Sequence, residues 1–475
     1  MMDALNARAR WIALMVLCLG DLMIVLDTTI VNVALPSIRT SLGFSEVSLV
    51  WVVNAYMLTF GGFLLLGGRL GDLYGNRKLF LIGIALFTLA SLACGLATSQ
   101  LMLIAARAVQ GIGGAVVSAV ALSLLMNLFT EAGERAKAMG VFGFVMAGGG
   151  SVGVLLGGVL TGAFNWHWIF LVNIPIGIAV ALLSLKLLPK DEPAERGRLD
   201  IMGTITITLS LMLAVYAIVN GNSVGWVSGQ TLGFLTSAVL LLGVFLWTES
   251  HVASPLMPLR LFAIRNVSVA SMIGVLWSAA MFAWFFISAL YLQIVLGYDP
   301  LKVGLSFLPA NVIMAIFSVW LSAKIVMRFG VRASLATGLS CAALGLALLS
   351  LAPIDGNFFV HVLPSMVLLG LGAGMAFNPL LLAAMSDVDK HESGLASGVV
   401  NTSFMMGGAL GLAILASLAA YRTEMLLGGG AEQLTALTGG YHVAFFVGAL
   451  FAALGALLAS ALRVSSASSE HDLKT

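Results

Sequence analysis

Charge is what this sequence has least of. Its 475 residues include 23 Lys and Arg and 21 Asp and Glu, so charged side chains make up only 9% of the chain. A soluble domain of that length needs far more polar surface to show water, so the soluble globular class is excluded. Cysteine is nearly as scarce. Cys18, Cys94 and Cys341 fall inside apolar runs at unrelated spacings, which predicts packing rather than a disulfide framework or a metal site. The six histidines, at 167, 251, 361, 391, 442 and 471, lie in loops or near the ends of apolar runs without ligand spacing. No His-x-x-Glu-His motif occurs, and no nucleophile, base or metal constellation is evident at one depth, so no enzyme is expected. No Walker lysine motif occurs either, which excludes ATP as the driving force. A ring of like residues or a filter loop, as a channel needs, is missing too. Basic clusters interleaved with aromatics are missing, and the net charge is only +2, so nucleic acid is not an expected partner.

What the chain has is apolar length. It is 60% hydrophobic, with a mean hydropathy of +1.06. Its apolar runs are about 20 residues long, which suits membrane-crossing helices rather than the roughly 10-residue strands of a barrel. Fourteen spans can be drawn, from about 11–33, 46–68, 79–97 and 100–128 to 395–420 and 441–462. With both termini inside, the inner segments collect nearly all the basic residues and the outer loops hold only Arg39, Lys302 and Arg422. That asymmetry satisfies the positive-inside rule for a multi-pass protein of the cytoplasmic membrane.

The chain is internally repeated. Arg69-x5-Gly75-x-Arg77 recurs as Lys324-x5-Gly330-x-Arg332, at an offset of 255. Gly111-x-Gly113 matches Gly370-x-Gly372, and Gly140…Gly149-Gly150…Gly153 matches Gly398…Gly407-Gly408…Gly411, at nearly the same offset. Two same-sense six-helix repeats with a pair of spans between them are expected. The first bundle covers 1–188. A cytoplasmic linker with two inserted helices covers 189–266, and the second bundle with a short cytoplasmic tail covers 267–475. Binding is expected where the repeats meet, near the membrane midplane.

Against so apolar a background, buried charge stands out. Only Asp21 and Asp27 among the acids, and only Arg107 among the bases, lie deep within spans. Intramembrane ionisable groups are expensive and usually handle ions or protons. A structural ion pair between Asp27 and Arg107 is the plainer alternative. Six residues separate Asp21 from Asp27, about 120° around a helix and 9 Å along it, so the two cannot aim at one point. The second half has no such charges: the positions aligned with Arg107 and Asp72 are Met366 and Met327. It offers aromatics around Phe282, Trp284 and Phe286 instead. A proton-handling half and a substrate-holding half are therefore expected. The expected cavity lining is Asn32 and Gln110 from the first half, with Phe282, Trp284, Phe286, Tyr291, Gln293 and Asn401 from the second. Packing within the core is the alternative for each aromatic.

These motifs resemble those of the major facilitator superfamily, in particular its fourteen-helix drug:proton antiporters. Leu26-Asp27-Thr28-Thr29…Asn32-Val33-Ala34-Leu35-Pro36 resembles that group's first-helix signature. Gly67 to Lys78 resembles the superfamily's loop 2–3 motif, and Arg107 to Ala115 its fourth-helix motif. Gly149 to Gly158 resembles the antiporter motif of helix 5, with Val154 where that motif usually carries proline. The resemblance implies an all-α major facilitator fold of two six-helix bundles plus two extra helices. It implies proton coupling by Asp27 and Arg107, to which the buried charge of Asp21 is added from the residues themselves, and a cytoplasmic latch made by Arg69, Asp72, Arg77 and Arg135. It implies close packing at Gly149, Gly153, Gly157 and Gly158. The expected function is export of a hydrophobic drug or antibiotic in exchange for protons by a monomer without a cofactor. The alternative is proton-linked transport of a metabolite, natural product or lipid. Because the spans of the second half lack acids, a neutral or weakly charged substrate is expected at least as much as a dication.

Overall fold

Helix is the only backbone arrangement besides a closed barrel that satisfies its own hydrogen bonds in lipid, and every described element here is helical. The computed structural model describes residues 7–129, 131–189, 200–252, 255, 257–388 and 393–462. A few helix side chains within these ranges, Asp72 and Arg135 among them, are not described. The first half comprises α1 (Ala7–Leu42), α2 (Val50–Tyr74), α3 (Asn76–Gly95), α4 (Gln100–Leu128), α5 (Ala132–Ala163), the single turn α6 (Trp168–Leu171) and α7 (Asn173–Leu187). Next come α8 (Ile201–Val224) and α9 (Gly229–His251). The second half comprises α10 (Arg265–Leu290), α11 (Pro300–Ile316), α12 (Ser322–Leu349), α13 (Leu363–Met385), α14 (Ser393–Gly428) and α15 (Gln433–Ala459).

Local signals set several of the starts. Ser99, Asp200, Ser228 and Asp299 each cap a helix by accepting from a backbone N–H three residues on, and Pro300 opens α11 where no donor is needed. α1 continues through Pro36 to Leu42, well past the span end of 33 drawn from hydropathy. Among the described residues, twelve helices are long and apolar enough to cross a membrane. Shorter apolar helices occur at Val152–Ala163, within α5, and at Pro300–Ile316. The expected linker from Pro189 to Arg198 lies almost wholly outside the described residues, as does the tail beyond Leu462.

The sequence repeat is a structural one. In the first half α1 packs on α5 and α7, α4 on α2 and α3, and α3 on α7. In the second half α10 packs on α14 and α15, α13 on α11 and α12, and α12 on α15, which is the same set of pairings. Gly75 and Gly330 both adopt positive φ (101° and 82°), and each turns the chain sharply between two helices. A turn of that kind at positive φ needs glycine, so the spacing survived in both copies.

The halves meet along two seams, α2 against α14 and α5 against α11. Asn54 donates to the Ala409 carbonyl across the first at 2.8 Å. Across the second, Gly158 lies against Pro300 and Leu301, and Gly304 lies against Val154 and Leu155. Gln293, in the π turn Tyr291–Val295 that follows α10, donates to the Val33 carbonyl of α1 at 2.7 Å. The inserted helix α8 packs on both α2 and α14, closing over the first seam. Asn222 on α8 donates to the Ser417 carbonyl at 2.8 Å. α9 packs on α8 and exposes Val239, Leu240 and Trp247, an outer face suited to lipid.

Candidate functional site

α1 is sandwiched between α4 on one side and α5 on the other, and its sequence suits each neighbour. Toward α5, the glycines at 149, 153 and 157 form an i, i+4 stripe that admits α1 at backbone distance. Gly149 lies against Leu22 and Val25, Gly153 against Leu26 and Thr29, and Gly157 against Ile30. Gly158, one residue round the helix, faces α11 instead. The helix-5 glycines therefore serve two contacts, one within the half and one across the seam.

Toward α4, α1 presents Asp27, which is fully buried. Arg107, on α4, donates Nη1 to Asp27 Oδ2 and Nε to the Val52 carbonyl of α2 at 2.9 Å. The same Nη1 donates to Gln110 Oε1 at 2.6 Å. Gln110 Nε2 donates in turn to Asp27 Oδ1 at 2.7 Å and to Ser91 Oγ at 2.8 Å. Asn173, at the start of α7, donates to Asp27 Oδ1 at 3.1 Å and to Ser91 Oγ at 3.3 Å. Ser91 donates to the Phe87 carbonyl at 2.8 Å, closing the network on α3. The guanidinium also lies 4.4 Å from the ring centroid of Tyr56 and 5.6 Å from that of Phe170, which compensates for lost hydration. Two opposite charges removed from water persist only when their remaining donors and acceptors are met, and here five helices and the turn α6 supply those partners.

Asp21 stands apart from this cluster. It is also fully buried on α1, and it accepts from Ser118 Oγ on α4 at 2.7 Å. The two acids thus engage the same partner helix at different depths.

The expected cavity residues divide. Gln110 belongs to the ion-pair cluster. Its amide reaches both Arg107 and Asp27 while Ser91 and Cys94 close around it. Trp284, Phe286 and Tyr291 are buried, and the partners of Trp284 and Tyr291 lie in the second half. Trp284 packs on Phe285 and Phe307, and the Tyr291 hydroxyl donates to the Pro353 carbonyl at 2.7 Å. Gln293 is taken up by its bond to Val33. Asn32 donates to its own helix at Thr28, and Asn401 is half-buried on α14. Phe282 does face the first half: with Met57 of α2 it flanks Gly408 of α14. It continues edge-on to Phe404, with centroids 6.1 Å apart, and from there to Phe377 at 5.6 Å. Sequence reading missed Phe377 and Phe404, as well as Ser91, Tyr56, Ser118 and Asn173. Asn173 and Ser91 could have been noticed as polar residues in apolar runs, though such residues are common in membrane helices.

Of the expected latch, Arg69 is exposed on α2, and Arg77 donates to the Leu185 carbonyl at the end of α7. The side chains of Asp72 and Arg135 are outside the described residues. An ion pair that sequence reading did not anticipate, Arg10 to Glu134 at 3.1 Å, joins α1 to α5.

A duplicated helix bundle with a carboxylate–guanidinium pair buried inside its first half defines a class of membrane transporter. Residues 17–412 match the family model described as Major Facilitator Superfamily, and the chain belongs to that family. It is a multi-pass membrane transporter and not an enzyme. The chain is 39% identical over 450 residues to the puromycin resistance protein of Streptomyces alboniger, covering 93% of this chain and 89% of that one. It is 39% identical over 407 residues to the cephamycin export protein of Amycolatopsis lactamdurans, covering 85% and 84%. It is 35% identical to a lincomycin resistance protein of Streptomyces lincolnensis, covering 88% and 86%. Among solved structures, the peptide transporter PepTSo matches with a TM-score of 0.68 at 15% identity over 99% of both chains. The xylose transporter XylE of E. coli, in a partially occluded inward-open conformation, matches at 0.62 and 15%, covering 95% and 97%. At such identities these two structures speak to the fold alone.

Proposed function

We propose that this protein is a fourteen-span antiporter of the bacterial cytoplasmic membrane that exports hydrophobic small molecules of antibiotic type in exchange for protons. The observation that carries the reading is the Asp27–Arg107–Gln110 cluster, a carboxylate buried at membrane depth whose counter-charge sits on another helix. The fourteen spans are the twelve long apolar helices together with α5 and α11. Both termini are cytoplasmic, on the face where the basic residues concentrate.

The mechanism follows from where the pair sits. α1 carries Asp27 and rides on the glycine stripe of α5, while α5 and α11 form a seam between the halves. Rocking of the halves moves α1 with α5 and changes how closely Asp27 meets Arg107 on α4. With the pair closed, the guanidinium holds the carboxylate ionised and the coupling proton is released. When the pair parts, an uncompensated carboxylate in apolar surroundings takes up a proton. Phe282, Phe404 and Phe377 offer a graded aromatic surface near the α2–α14 seam for an apolar solute, and no acid among the described residues is buried there. Relatives named for resistance to or export of puromycin, cephamycin and lincomycin support antibiotics as the substrate class. Cephamycin export by one relative and probable actinorhodin transport by another favour a second reading, export of a natural product.

Proteoliposomes with an imposed pH gradient test the coupling. The wild type accumulates puromycin or lincomycin against its gradient, and Asp27→Asn loses the proton-driven part. Full proton-linked transport by Asp27→Asn would end the proposal. A susceptibility panel in an efflux-deficient host separates a broad drug exporter from a single-product one.

A further inference from the structure

Two buried groups on the α1–α4 face take no part in the ion-pair cluster. The first is Asp21, whose Oδ1 accepts from Ser118 while Oδ2 is buried without a partner. The second is the hydroxyl of Tyr56 on α2, which is buried and likewise without a partner, although the Tyr56 ring lies directly under Arg107. A buried hydroxyl or carboxylate oxygen left unpaired costs about 1–3 kcal/mol, so each calls for a reason.

Their positions along α4 supply one. A Cβ built at Gly114 would stand 2.9 Å from the Tyr56 hydroxyl oxygen, so the glycine leaves the notch that the hydroxyl occupies. Gly114 follows Gln110, which holds Asp27, by one turn, and precedes Ser118, which holds Asp21, by one turn. Each step is about 6 Å along the helix. The Tyr56 hydroxyl is thus level with the midpoint between the two acids, within electrostatic reach of Asp27, Arg107 and Asp21. The other titratable groups around this line are thiols: Cys18 beside Asp21, and Cys94 against Gln110. Among the described residues, the charged side chains buried between α1 and α4 are Asp21, Asp27 and Arg107 alone.

We propose that Tyr56 and Asp21 form the cytoplasmic exit path of the coupling proton, with the Tyr56 hydroxyl as the bridging group and Asp21, steadied by Ser118, as the next acceptor. The proposal rests on the reading of Asp27 and Arg107 as the coupling pair. The proton leaves the Asp27 carboxyl as Arg107 closes on it and is taken, by way of a water admitted as the pair moves, by the Tyr56 oxygen. That oxygen gives up its own proton toward Asp21 Oδ2, and Asp21 releases a proton to the cytoplasm. One proton moves, no electrons are exchanged, and Tyr56 ends as a neutral phenol after its hydroxyl turns back. Asp21 lies on the side of Asp27 nearer the start of α1, the cytoplasmic side in the proposed orientation.

Tyr56→Phe removes one oxygen and keeps the ring beneath Arg107, so it isolates the relay from the packing. In proteoliposomes with puromycin and lincomycin as probes, Tyr56→Phe and Asp21→Asn are expected to slow proton-driven exchange at least tenfold. Drug-for-drug counterflow, which needs no net proton movement, is expected to stay at the wild-type rate, as is probe affinity. Ser118→Ala is expected to slow the driven exchange two- to threefold. An equal fall in counterflow would mean a structural role and overturn the proposal. Wild-type driven exchange in both Tyr56→Phe and Asp21→Asn, alongside its loss in Asp27→Asn, would overturn the exit path and leave the coupling pair standing. A wild type that moves neither probe uphill, or an Asp27→Asn variant that keeps its coupling, removes both.

Discussion

Gln110 holds Asp27 from the side opposite the salt bridge: its amide donates to Oδ1 at 2.7 Å while Arg107 takes Oδ2. Because the carbonyl of the same side chain accepts from Arg107 at 2.6 Å, one neutral residue fixes the geometry of both charges. Gln110→Leu keeps the approximate volume and removes both bonds. Hydrogen bonds to charged groups are worth about 1.5–3 kcal/mol each, so a loss of at least 2 kcal/mol in stability is expected, with coupling impaired. Thermal unfolding in detergent and proton-driven export measure the two effects. An unchanged melting temperature would show that the amide is dispensable.

Arg107→Lys tests whether charge alone suffices. A lysine ammonium is a single point of donation and cannot serve Val52 and the Asp27–Gln110 pair together, as Nε and Nη1 of arginine do. Proton-driven exchange is expected to drop more than tenfold while the protein still inserts and elutes as the wild type does. Retention of wild-type exchange would reduce Arg107 to a generic counter-charge.

Gly153→Ala places a methyl against Thr29 Oγ1, with the Leu26 carbonyl 3.0 Å away. Overpacking of this kind costs about 1–3 kcal/mol. Thr29→Ala removes the first obstacle, so the double variant is expected to recover much of the lost stability and transport. A double-mutant cycle in melting temperature reads the coupling, and strict additivity would mean that the α1–α5 contact does not depend on this glycine.

Glu46 provides a pH signature outside the membrane-spanning segments. It lies in the α1–α2 connection, paired with Arg39 at 2.8 Å. Burial pushes its carboxyl above the ordinary glutamate value, with the Arg39 charge and hydrogen bond and the neighbouring Tyr441 hydroxyl pulling the other way. A raised value in the folded state means that the fold favours neutral Glu46. That contribution is complete below the unfolded glutamate value, about 4.3, and is lost as pH rises through the folded value. Glu46→Gln is neutral throughout. Its melting temperature relative to the wild type is therefore expected to rise as pH climbs from about 4 and then level off. A difference that is flat with pH would contradict the assignment.

The class of protein, the two repeats and the identity of the ion pair were all legible in the chain. Lipid makes each of them conspicuous: it forces the helices to be long and apolar, and it strips charge so thoroughly that Asp21, Asp27 and Arg107 stand alone within the spans. The glycine spacing was equally plain because a turn at positive φ, as at Gly75 and Gly330, accepts no other residue readily.

Folding in three dimensions decided the rest. Ser91, Tyr56 and Asn173 are neutral residues of kinds scattered through many membrane helices, and only the meeting of α2, α3 and α7 around α1 and α4 makes them partners of the charges. Trp284 and Phe282, two residues apart in one apolar run, point to opposite fates: a closed core for the first, the surface between the halves for the second. Sequence periodicity marks which residues are apolar, but inside a membrane both the core and the outer face are apolar. Which helix stands opposite is therefore settled by packing, and that is information the linear chain does not carry.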